Sequence, residues 1–125
     1  MFNRSHRLVA MILAILTAFV GCVPNVANAQ GSHYSLTLVN TSGYNIEHLY
    51  LSSSDTDRWG PDQLGRHTLE SGGSFTLTDI RPGEYDIKFV DEDGDTCIVP
   101  HKNVFHNLSW ELSQSWLLSC EARHV

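Results

Sequence analysis

In YSLTLVN (34–40), Tyr34, Leu36 and Leu38 alternate with Ser35 and Thr37, the two-residue period of a strand with one buried face. NTSG interrupts the pattern, and YNIEHLYLS (44–52) predicts a second strand. The following stretch, SSDTDRWGPDQLGRHTLESGGS (53–74), is polar and punctuated by Gly60, Pro61, Gly65, Gly72 and Gly73. It reads as a long loop in which only RHTL could form a short edge strand. SFTLTDI (74–80) alternates again, with Phe75 and Leu77 on one face. RPG is a turn, in which Pro82 fixes φ and Gly83 is free to take a positive φ. EYDIKFVDEDGDTCIVPH (84–101) predicts a hairpin. NVFHNLSWELSQSWLLSC (103–120) carries two periods: Phe105, Leu108, Leu112 and Trp116 fit a helical stripe, whereas Trp110 and Leu112 flanking Glu111 fit a strand. Its Ser and Asn content and the β-rich surroundings favour a strand at 108–112, and no segment is convincingly helical. Short strands fenced by glycine turns predict one small all-β domain, an antiparallel sandwich.

The N-terminal region follows a different grammar. Arg4 and Arg7 precede an apolar run from Leu8 to Val20, too short for a membrane span of about 20 residues. GCVPNVANA then supplies a polar region ending in the small-x-small pattern Ala27-Asn28-Ala29. Residues 1–29 therefore read as a signal peptide cleaved at Ala29/Gln30, leaving residues 30–125 as a single domain with no membrane span and a secreted or periplasmic destination. The competing reading, a lipoprotein with Cys22 as the lipidated residue, is less favoured because Phe19 stands where that signal wants an aliphatic side chain. Removal of Cys22 leaves Cys97 and Cys120, which in an exported chain predict a disulfide. Such a bridge closes a loop of roughly two dozen residues and contributes about 3 kcal/mol in the chain-entropy model. A core of this size benefits from that constraint. All fourteen Asp and Glu but only six of the eight Lys and Arg lie beyond residue 29, so six positive against fourteen negative charges give −8 with His neutral. That balance disfavours nucleic acid and anionic membrane surfaces as partners.

LTDIRPGEYDIKF resembles the edge of prealbumin-like and immunoglobulin-like sandwiches, where a Pro-Gly turn delivers an inward tyrosine to a core strand. Ile80, Pro82, Gly83, Tyr85, Ile87 and Phe89 occupy the matching places. A broader resemblance runs through Leu49, Tyr50, Leu51, Ser52 and Ser54, then Trp59, Gly60, Asp62, Leu64 and Gly65. It continues through Tyr85, Asp86, Ile87, Lys88, Val90, Asp91, Asp93 and Gly94. These residues are similar to a family of small exported bacterial β-sandwich proteins of unknown function. That resemblance implies export and a sandwich fold, and it assigns no catalytic residue.

Chemistry is sparse. VDEDGDTC (90–97) places Asp91, Asp93 and Asp95 at the first, third and fifth positions of a calcium loop. Thr96 stands where an EF-hand needs glycine and Lys102 where it needs a bidentate glutamate, so the EF-hand fails. A three-residue hairpin loop, Glu92-Asp93-Gly94, pairs Phe89 with Cys97 and Ile87 with Val99. It collects the apolar side chains on one face, with Gly94 in the left-handed position of a bulged type I turn. The same register sets Asp91 opposite Asp95, a like-charge pair that calcium bound at Asp91, Asp93 and Asp95 would relieve. SSSDTDRWGPDQLG is the other candidate: Asp57, Trp59, Asp62 and Leu64 would form a loop that meets a protein or glycan partner, or else Trp59 and Leu64 would fold back and plug one end of the sandwich. His101 and His106 have only weak zinc spacing. NTS (40–42) and NLS (107–109) match glycosylation sequons. The leading expectation is a non-enzymatic binding or interaction module of the cell envelope. A calcium-binding or calcium-stabilised module is the alternative.

Overall fold

The computed structural model describes Gly21 and residues 31–124; the rest of the expected signal segment 1–29, with Cys22 and the expected cleavage point, lies outside the described residues. Six strands are present: β1 (Tyr34–Thr41), β2 (Ile46–Ser53), β3 (Ser74–Ile80), β4 (Gly83–Asp91), β5 (Thr96–Val104) and β6 (Leu108–Ser113). A short helix, α1 (Gln114–Glu121), and a single 3-10 turn, Ala122–His124, complete the chain. The strands form two three-stranded sheets of order β3-β1-β6 and β2-β4-β5. Every consecutive strand switches sheet except across the β4–β5 hairpin, so the chain laces the two layers together. The fold is a small all-β sandwich. One pairing departs from an antiparallel plan: β1 and β6 run parallel, with Leu36 beside Leu108 and Leu38 beside Trp110.

Leu36 and Leu38 of β1, Leu49 of β2, Leu77 and Ile80 of β3, Ile87 and Phe89 of β4, Cys97 and Val104 of β5 and Leu112 of β6 meet in one core. Strict alternation would not produce that set. Ile46 and Leu49 are three residues apart and both buried, as are Leu77 and Ile80. The ladders shift register at these places, inserting an extra residue beside Glu47 on β2 and beside Asp79 on β3. A third shift lies on β5, between the pairs Ile87–Val99 and Tyr85–Lys102. Asp79 (φ 66°) and His101 (φ 57°) adopt the left-handed backbone that such bulges use. The bulges on β2 and β3 each flip the strand so that a second apolar residue faces inward.

Phe89 meets Trp110 and Trp116 edge to face at 5.7 and 5.8 Å, and the two indoles lie 4.8 Å apart. This cluster joins the two sheets where β6 runs into α1. The strand expected at 108–112 is present, and of the helical stripe only Trp116 lies in a helix: Phe105 is in the preceding loop, Leu108 and Leu112 are in β6, and the chain turns helical only from Gln114. Ser113 is the N-cap and accepts from the Trp116 N–H. Leu117 and Cys120 are the helix's buried apolar side chains. RPG departs from expectation at one residue, because Gly83 opens β4 without a positive φ. Tyr85 is half-buried and its hydroxyl donates back to the Arg81 carbonyl at 2.8 Å, tying the turn to the strand. Cys97 and Cys120 form a disulfide with Cα atoms 5.3 Å apart, which fastens α1 to β5.

Candidate functional site

β2 is an edge strand, and an unpaired edge invites association. The long polar loop covers it. Gln63 N–H donates to the Leu49 carbonyl at 2.6 Å, Gly60 N–H to Leu51 at 3.4 Å, and Ile46 and Leu69 exchange both backbone bonds at 2.9 Å. That last bridge is all that forms of the short strand expected in RHTL. Asp62 completes the covering: its Oδ1 accepts from the Leu49 and Leu64 amides at 3.0 Å each, and Oδ2 meets His48 Nδ1 at 2.7 Å. Burial opposes ionisation of Asp62, but the bonds from Leu49, His48 and Leu64 outweigh it and hold the carboxyl below its ordinary value.

The four loop residues singled out by sequence therefore separate. Leu64 is buried and belongs to the core. Asp62 is taken up by hydrogen bonds that shape the loop. Asp57 is exposed. Trp59 is half-buried and lies on the outer face of the sheet, where Lys88 Nζ sits 4.8 Å from its ring centroid and 4.5 Å from that of Tyr50. His48 stacks on Tyr50 at 6.2 Å. The plug expected from Trp59 and Leu64 is realised by Leu64 alone. Sequence reasoning missed Tyr50 and Lys88 as neighbours of Trp59; the signal was their outward parity beside Leu49 and Phe89.

The hairpin adopts the expected register. Phe89 pairs with Cys97 and Ile87 with Val99, the Asp91 amide donates to Asp95 O at 3.0 Å, and Gly94 (φ 81°) donates to Asp91 O. Asp91 is not a surface charge repelling Asp95. It is buried at 3% exposure, and its Oδ1 accepts from the amides of Asp93 and Asp95 at 2.9 Å each. Asp91, Asp93 and Asp95 offer oxygens within 4.8 Å of one another. Beside them lies a residue that the sequence pattern does not single out, Glu121 of α1. Burial, then the charge and hydrogen bond of Asp91, then Asp95 and Asp93, push its carboxyl up to about 7. The pointer to it was the disulfide, since bridging Cys97 to Cys120 brings the next residue to the turn end of β5.

A third polar network crosses β4 and β5. Asp86 accepts from Ser54 Oγ at 2.7 Å and from the His101 amide at 3.0 Å, and His101 Nδ1 meets Glu84 at 2.5 Å. His101 is thereby committed to a carboxylate, while His106 stands exposed on the next loop. Asn40 of the first sequon is fully buried, its amide donating to the Tyr44 and Leu69 carbonyls, so NTS offers no acceptor in the folded chain. Asn107 of the second is exposed and accepts from the Ser35 amide.

Among the described residues no helix is long and apolar enough to cross a membrane. No family model matches the chain, and no curated protein matches it. A solved structure, the NMR structure of a protein from Eubacterium rectale, is similar at 15% identity and a TM-score of 0.45, covering 64% of this chain and 78% of that one.

Proposed function

We propose that this chain is an exported, non-enzymatic binding module whose contact surface is the outer face of β2 and β4 beneath the covering loop. The observation that carries the reading is the row His48, Tyr50, Lys88 and Trp59, in which one ammonium is held between two aromatic rings. Such a row is rigid before any partner arrives, so little side-chain freedom is lost on contact. Aromatic faces with an attached polar edge suit a sugar ring or the side chains of a partner protein. The ammonium marks one spot on a strongly acidic chain where an acidic group is welcome. Among the described residues three histidines meet a carboxylate: His48 with Asp62 serves the loop, His101 with Glu84 the β5 bulge and His33 with Asp79 the β3 bulge, which favours a recognition role over a catalytic one. The disulfide between Cys97 and Cys120 suits an oxidising compartment, in keeping with export.

The test is retention of the purified protein on envelope glycans and on envelope proteins, measured separately. Trp59→Ala should weaken retention on one of the two by about tenfold or more while shifting the melting temperature little, since an interfacial aromatic anchor is typically worth that much. Retention on neither, or retention indifferent to Trp59→Ala, would sink the proposal.

A further inference from the structure

Four carboxylates converge where the β4–β5 turn meets the end of α1, and they come from two elements that only the fold brings together. Three belong to the turn: Asp91, Asp93 and Asp95, whose oxygens lie within 4.8 Å of one another. The fourth is Glu121, the last residue of α1, placed there by the Cys97–Cys120 bridge one residue earlier. Glu121 is 9% exposed, and its Oε1 is buried with no hydrogen-bond partner. Its carboxyl is directed at Asp91, with Asp95 and Asp93 next in reach. Among the described residues no ion pair reaches any of the four.

An ionised carboxylate only accepts hydrogen bonds, so two carboxyl groups in contact need a shared proton or a cation between them. A buried oxygen with no donor is the group a native fold avoids leaving unserved. One small divalent cation would answer the unpartnered Oε1 and the contact with Asp91 at once. The donor set fixes the kind of ion. All four ligands are hard oxygens, with no imidazole or thiolate to favour zinc. Ligands about 2.3–2.6 Å from a calcium ion stand at most about 5 Å apart, a spread that the oxygens of the three aspartates already meet, whereas ligands about 2.0–2.1 Å from magnesium would have to contract.

We propose that Asp91, Asp93 and Asp95 of the hairpin turn, together with Glu121 of the C-terminal helix, hold one calcium-class divalent cation that ties the helix end to the hairpin. The proposal stands apart from the binding surface on the outer face of β2 and β4 and does not depend on it.

The experiment uses the oxidised protein stripped with a chelator and titrated with calcium chloride by calorimetry and thermal melting. One site per chain is expected, with a Kd of about 10⁻⁴–10⁻³ M, the range of extracellular calcium modules. The melting temperature should rise by roughly 5–10 °C at ten times that concentration, and magnesium should do less. Glu121→Gln gives the distinguishing result: its chelated form should remain folded, yet calcium affinity should fall by about tenfold or more. Asp93→Asn, on an exposed residue that the fold does not need, should weaken calcium to a similar degree. No heat and no melting shift up to about 10 mM calcium would overturn the site, given that affinity range. So would an equal calcium shift in the wild type and both variants, which would reduce the effect to screening of an acidic surface.

Discussion

His101 is a non-glycine residue in left-handed backbone, held by its amide on Asp86 and its ring on Glu84. The Glu84 contact stabilises the imidazolium and raises its pKa above the ordinary 6.5. With the folded value raised, the favourable pairing is present in full below about 6.5 and is lost as pH rises through the folded pKa. NMR titration of the ring should therefore give a midpoint above 6.5 that returns toward it in Glu84→Gln; an unchanged midpoint in that variant would assign the shift elsewhere. None of this is visible along the chain, because a histidine is not a turn residue by composition. What can be read is its neighbour: Pro100 cannot donate to a ladder, which already marks an edge strand or a bulge. Asn40 teaches the opposite lesson. It looks like a turn-former or a sequon, yet it sits at zero exposure with its amide and its Oδ1 both partnered, a role that depends on chain 29 residues away.

The strands themselves were legible as elements, since alternation over 34–40, 74–80 and 84–99 states which face is buried, and that choice alone settles the hairpin register. The bulges were legible only in part: apolar spacing of three within a strand, as in Ile46–Leu49 and Leu77–Ile80, is their trace. The helix escaped because eight residues with Ser and Gln on the outside leave a weak stripe, and its stability comes from packing and the disulfide rather than from propensity. The covering loop escaped for a different reason. Its order rests on one carboxylate, Asp62, that satisfies two amides and a histidine from separate places. Asp62→Ala should destabilise the fold by about 1–3 kcal/mol and release the Leu49 amide to hydrogen exchange, with Asp62→Asn losing distinctly less. Because the Asp62 pKa is lowered, the wild-type contribution is present above the unfolded value of 3.8 and fades as pH falls through the folded one. Equal losses in both variants would show that the backbone bonds of the loop, not the side chain, hold it in place.

At the scale of the whole molecule, the candidate metal centre was half legible. Asp91, Asp93 and Asp95 are conspicuous in sequence, while Glu121 is a lone acidic residue until the cysteine bridge closes 23 residues of chain. Reduction of that bridge should remove about 3 kcal/mol and lower the melting temperature by roughly 10–25 °C. The same reduction should also weaken calcium, since α1 would no longer deliver Glu121; an unaltered calcium affinity in reduced, folded protein would separate the two roles of the bridge. The parallel pairing of β1 with β6 has a consequence of another kind. Ser35 is fixed by a side chain 72 residues further on, and the central strand of one sheet gains its second neighbour only from Leu108–Ser113. A polypeptide emerging N-terminus first cannot close this sandwich until nearly all of it has appeared. Under the export proposed above, a topology that postpones its own completion keeps the thread pliable for as long as passage through a translocation channel lasts.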